Sequence, residues 1–163
     1  MFADPLTSAV QMWTANCLIA SRLMPRRHRG RLYRAIGLDV KGLVDFGMVC
    51  GKQISIGVGT FVNDRCYFDG TAAVALGENC LVGMQALFVT STHDLLGRGR
   101  YGAAHGASIE VGDRCWIGAR AVVLPGVRIC ADVVVAAGSV VTESIDRPGI
   151  YAGVPAQLIR PLD

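Results

Sequence analysis

Three histidines stand among the 163 residues, and one of them occupies a position suited to proton transfer. His93 closes the string Thr90-Ser91-Thr92-His93-Asp94, where a regular pattern stops and an irregular segment begins. An imidazole titrates near neutrality, so a positioned one can take a proton from a substrate and return it. The alternative for the same residue is a loop-edge histidine that only caps backbone groups. His28 lies inside an arginine run, and His105 stands between Ala104 and Gly106 with no partner nearby in the sequence. Other chemistries lack their residues. A histidine-built zinc site needs at least three ligands, and no two histidines lie five apart. GxSxG and Walker strings are both absent. The six cysteines contain no CxxC pair, and their positions read as small buried residues in a reducing cytosol.

The elements that must hold His93 follow a six-residue period. Val111, Ile117, Val123, Ile129, Val135 and Val141 recur at that interval, with Cys115, Ala121, Val127, Val133 and Ser139 in the fifth place of each hexad. Upstream, Leu38, Val44, Cys50, Ile56, Val62 and Phe68 share one phase, with Gly42, Met48, Ile54, Thr60, Cys66 and Ala72 in fifth place. Two extra residues shift the phase before Leu76, Val82 and Phe88, with Cys80 and Ala86 in fifth place. A helix of 3.6 residues per turn smears such a period around its axis, and a flat strand has no regular corner. Hexads suit a solenoid with three flat faces: the aliphatic points inward, the small residue fills the corner, and glycines take the corner angles. The pattern predicts about five coils (residues 38–163), with the stretch 94–108 thrown out as a long loop.

Composition limits the remaining choices. An apolar content of 52% against 18% charged residues fills a core and leaves apolar flat faces, which copies of the chain can cover. The net charge of +3 is concentrated between Arg26 and Arg34, too local for a nucleic-acid protein. Residues 1–37 read as a helical cap: Leu6, Val10, Trp13, Cys17, Ala20 and Met24 form a helical stripe, Pro25 ends it, and a second short helix runs from about Arg29 to Ile36. The stripe packs on the prism; in a second reading, residues 5–34 touch an anionic membrane surface. The opening MFADPLTSAV has Asp4 and no basic run, so no secretory signal is expected and the expected location is cytoplasmic, with the membrane's inner face as the second reading.

The strings WIG at 116–118, LPGV at 124–127, AGSVVT at 137–142 and AGVPA at 152–156 resemble the C-terminal half of hexapeptide-repeat O-acetyltransferases. These include the maltose, galactoside, nodulation-factor and exopolysaccharide enzymes. The likeness extends through Thr92-His93-Asp94 and Phe61-Val62-Asn63, and covers residues 50 to 161. It implies an all-β fold, a left-handed parallel β-helix with a short helical cap. It also implies a homotrimer with three active sites between subunits, acetyl-CoA as co-substrate, no metal and a glycan or small-molecule acceptor.

By the same resemblance, His93 is the general base on an acceptor hydroxyl, and no acyl-enzyme forms. Asn63 orients the hydroxyl or donates to developing negative charge; its alternative is a corner residue with left-handed angles. Asp69 is an acceptor contact or a solvated corner. Ala119, Ala137, Thr142 and Arg160 line the coenzyme groove, and Trp116 either walls that groove or packs between protomers. Glu143 stands where relatives often carry lysine and Gln157 where some carry arginine, so either the cofactor affinity is lower or Arg120, Arg128 or Arg147 compensates. The resemblance leaves two rivals: N-acetylation of an amino sugar or antibiotic, and a trimeric scaffold without catalysis.

Overall fold

The fold is seen in a computed structural model of the chain, which describes residues 10, 12–45, 49–50, 53–96 and 100–162. Short parallel strands stack into three faces. The first face holds β1 (Asp39–Val40), β4 (Ile54–Ile56), β7 (Val74–Leu76), β12 (Ile109–Val111) and β15 (Arg128–Ile129). The second holds β2 (Leu43–Val44), β5 (Phe61–Val62), β8 (Leu81–Val82), β13 (Trp116–Ile117) and β16 (Val133–Val135). It continues into β18 (Gly149–Ala152) and the antiparallel β19 (Gln157–Pro161). The third holds β3 (Val49–Cys50), β6 (Tyr67–Phe68), β9 (Leu87–Phe88), β14 (Val122–Val123) and β17 (Val140–Val141). The result is a left-handed β-helix of about five turns.

The hexad residues fill the prism. Val44, Ile56, Val62, Leu76, Val82, Ile117, Val123, Val135 and Val141 are all buried. Inside the third face Phe68 and Phe88 stack with centroids 4.7 Å apart. The fifth places hold buried small groups: Thr60, Cys80, Cys115 and Val133 follow one another along one edge, and Cys66, Ala86, Ala121 and Ser139 along the next. The two fifth-place hydroxyls are satisfied: Thr60 Oγ1 donates to the Gly77 carbonyl at 2.6 Å and accepts from Cys80 N–H at 2.9 Å, and Ser139 Oγ accepts from Gly153 N–H at 3.1 Å. The placements expected for Leu6, Met48 and the Cys50 side chain lie outside what is described.

Three details differ from the sequence pattern. The glycines after the inward aliphatics are not the ones with unusual angles. Positive φ falls on polar corner residues, Arg65, Asn79, Gln85, Arg114, Arg120 and Asp132, and on Gly59, Gly126 and Gly138. Gly57, Gly77, Gly83, Gly112 and Gly118 are needed instead because a Cβ there would come within 3.0 Å of the next coil. At the phase shift, Val74 rather than Ala72 takes the buried place. The segment expected as a loop is a two-stranded antiparallel hairpin, β10 (Ser91–Leu96) with β11 (Arg100–Gly106), so His93 stands on a strand.

The N-terminal cap also departs from the stripe. Helical residues run into a π-helix at Thr14–Ile19, in which Ala20 N–H reaches the Ala15 carbonyl at 3.1 Å, five residues back. This spacing turns Ala15, Ile19 and Ala20 inward and leaves Val10, Trp13 and Cys17 exposed. Pro25 begins rather than ends a helix: it is the N-cap of α1 (Arg26–Ala35). α1 packs on β1 and β2, and the π-helix on β3, so together they cover the open end of the coil. Buried Arg29 ties them, donating to Asp45 Oδ1 at 3.2 Å and to the Ser21 carbonyl at 3.0 Å. No helix among the described residues is long and apolar enough to cross a membrane.

Candidate active site

The hairpin is seated by the corner that the phase shift enlarges. Between β6 and β7 the chain takes the wide path Asp69-Gly70-Thr71-Ala72-Ala73, directly beside the place where the next coil ejects β10. Asp69 clasps the two. Its Oδ1 accepts from Thr71 N–H at 3.1 Å and Thr71 Oγ1 at 3.0 Å; its Oδ2 accepts from Thr90 N–H at 3.2 Å and Ser91 N–H at 2.8 Å. Ala72 N–H adds a bond to buried Thr90 Oγ1 at 3.0 Å. Burial acts to raise the Asp69 pKa, but the hydrogen bonds from Ser91 and Thr71 outweigh it and bring the group down to about 2. Its oxygens are thus occupied by the protein's own donors, which is neither the solvated corner nor the open acceptor contact that the sequence suggested.

Two residues beyond this clasp, His93 is exposed, and its Nδ1 lies 3.2 Å from the Gly102 carbonyl across the hairpin. A carbonyl only accepts, so Nδ1 carries the hydrogen and Nε2 carries the lone pair that can receive a proton. On the other side of the hairpin His105 Nδ1 stands 3.8 Å from Asp94 Oδ1, a partner that the sequence did not indicate.

Asn63 follows β5 and is half-buried. Its φ is not positive, so the left-handed corner explanation fails. Its Oδ1 accepts from Asp64 N–H at 2.8 Å, which fixes the amide and makes the NH2 group the available donor. Asn63 shares one edge of the prism, between the second and third faces, with Gly83, Gly118, Ala119 and Ala137; the Gly138 N–H bonds the Ala119 carbonyl at 2.9 Å. Trp116 points outward from the second face, 55% exposed. Arg160 is exposed on β19, opposite Ile150.

Asp69, His93 and Thr142 lie along the other edge of the third face, where it meets the first. Asn63, Ala119 and Ala137 therefore fall on one edge and Asp69, His93 and Thr142 on another, separated by one face, roughly 15–20 Å of extended chain. A groove of about 610 Å³ runs along the first face past Glu110, Arg128 and Asp146. Glu143 and Gln157 do meet, in a 200 Å³ depression that Arg147 also lines. Arg120 stands beside Ala119, with its Nε donating to Gln85 Oε1 at 2.8 Å. Among the described residues no cluster of histidine, cysteine or acidic side chains could hold a metal.

A family model described as the hexapeptide repeat of succinyl-transferase matches residues 108–143. A Schizosaccharomyces pombe protein named as an acetyltransferase is 35% identical over 114 residues, covering 69% of this chain and 55% of that protein. Galactoside O-acetyltransferase of Lactococcus lactis is 30% identical over 117 residues, again covering 69% of this chain and 55% of the relative. The chain thus spans little more than half the length of either. A hexapeptide-repeat containing acetyltransferase of Vibrio cholerae superposes with a TM-score of 0.87 at 30% identity, over 99% of this chain and 95% of that one. The complex of that protein with acetyl coenzyme A superposes with a TM-score of 0.74 at 27% identity, over 97% and 86% of the two chains.

Proposed function

The chain belongs to the hexapeptide-repeat acetyltransferases, and from that membership we propose that it moves an acetyl group from acetyl-CoA to a hydroxyl of a sugar or glycosylated acceptor. The observation that carries this reading is His93, an imidazole with its tautomer set by Gly102 on a hairpin clasped to the prism. The galactoside enzyme of L. lactis supports a sugar hydroxyl as the acceptor.

The residues fit a long, anionic co-substrate. Ala119 and Ala137 keep side chains short along one edge, which leaves room there for an extended pantetheine arm. Arg120, Arg147 and Arg160 supply exposed guanidinium groups for phosphates, with Arg147 beside the positions of Glu143 and Gln157. Bound acetyl-CoA would supply an activated thioester carbonyl. His93 Nε2 removes the hydroxyl proton as the acceptor oxygen attacks, and returns a proton to the leaving sulfur. The Asn63 amide donates to the oxygen that gains charge. With both substrates held together, no covalent enzyme intermediate is required.

The separation of these residues on two edges supports a site completed by a second copy, in a cyclic trimer. The outward columns support it too. The second face presents Leu43, Phe61, Leu81, Trp116, Val134 and Ile150, and the third Tyr67, Leu87, Val122 and Val140. The first presents Asp39, Ser55, Ala75, Glu110 and Arg128. Two apolar faces and one polar face suit a heterologous ring.

Thiol release from acetyl-CoA, measured over a panel of sugars and amino sugars, tests the reading. Turnover with neutral sugars and about a 100- to 10,000-fold loss in His93→Ala are expected. Acetylation of amino sugars alone would move the acceptor to an amine, and absence of both turnover and CoA binding would leave a scaffold.

A further inference from the structure

We infer that the N-terminal cap is a docking surface for an anionic lipid membrane. The inference concerns where the protein sits and does not depend on the acyl-transfer reading.

Residues 5–38 contain six arginines and no acid. Arg29 is buried; Arg22, Arg26, Arg27, Arg31 and Arg34 are exposed. Arg26 is partly balanced by Asp45 at 3.9 Å and lies over the Phe61 ring at 4.3 Å. α1 also has no acidic residue in its first turn, where the helix dipole favours one, so the positive potential at this end is reinforced.

Large apolar side chains stand within the same basic segment. Leu23, in the turn between the two helices, is 94% exposed; Val10 is 62%, Trp13 58% and Leu18 49% exposed. The π-helix explains the grouping. Around it Trp13 and Leu18 are exposed on the outer side while Ala15, Ile19 and Ala20 are buried on the inner side. The segment therefore has two apolar faces, and the prism covers one.

Charge selects the occupant. A second copy docking through the same patch would set five exposed arginines against five, with no acid in the segment to pair them. Anionic headgroups pair with guanidinium groups while the acyl boundary takes Trp13, Leu18 and Leu23. The patch lies at the capped end of the coil, where Arg26 and Arg29 meet Asp45 and Arg26 covers Phe61, two residues before Asn63.

The full chain is mixed with vesicles of phosphatidylglycerol and phosphatidylcholine, and with phosphatidylcholine alone. Sedimentation with the anionic vesicles only, weakened as salt rises, is expected. In a Trp116→Phe background, brominated acyl chains should quench the remaining Trp13. Arg27→Gln and Arg31→Gln, which remove no buried group, should each weaken partitioning about fivefold. Leu23→Ser should lower it further. Sedimentation independent of phosphatidylglycerol, or unchanged in all three variants, overturns the inference. So does a fall in oligomeric mass in Leu23→Ser without loss of vesicle binding, which would assign the patch to another copy.

Discussion

At the carboxylate of Asp69, four donors from two coils converge, and the ionised form is the one they hold. A pKa lowered from 3.8 to about 2 means that this contribution to stability is complete above the unfolded value and lost as pH falls from about 4 toward 2. Exchange of the Ser91 amide should accelerate over that window before the coil melts. Asp69→Asn replaces one accepting oxygen with a donor facing N–H groups. On the proposed mechanism, the displaced hairpin should lower kcat about 100-fold and leave the KM for acetyl-CoA unchanged. A rise in acceptor KM alone would make Asp69 a substrate contact instead. Asp69 was legible as a polar corner, but its four bonds were not, because two of its donors come from a segment 21 and 22 residues away.

Among the elements, the corners separate two uses of glycine. A Cβ on Gly118 would strike the backbone of Ala136 and Ala137, which cannot move without opening the next coil. Gly118→Ala should therefore destabilise the fold by about 1–3 kcal/mol in urea melts. Gly138 has φ +72 and open space around it, so Gly138→Asn should cost less, since asparagine tolerates left-handed angles. Equal loss in both variants would contradict this division. The hairpin follows a related logic. The irregular stretch after His93 was visible as a break in the hexads, yet its pairing was hidden. Its register is antiparallel, with Thr92 opposite His105 and His93 opposite Ala104, and no periodicity encodes that.

For the whole molecule, the contrast between one polar and two apolar faces governs assembly. In the proposed trimer, Leu81→Glu on the second face should give monomers in sedimentation, with the coil intact by circular dichroism. The same variant should lose transfer activity, because the edge bearing His93 and the edge bearing Ala119 then have no partner. A fully active monomer would place the complete site within one chain. The separation of the two edges could not be read from motifs, which give residues in order but not the face that divides them.

Hexad spacing by itself determined the prism, most of its inward residues, the coil that is widened and the coil that ejects a segment. It could do so because each coil meets the next through the same few contacts, so a local repeat specifies a global shape. Only the tertiary structure decided which corners need glycine, that Asp69 clasps the hairpin, and that a π-helix turns Trp13 outward. It also divided the site residues between two edges. These outcomes depend on approach between coils and on segments without a repeat, where the energy of a residue is set by neighbours distant in the chain.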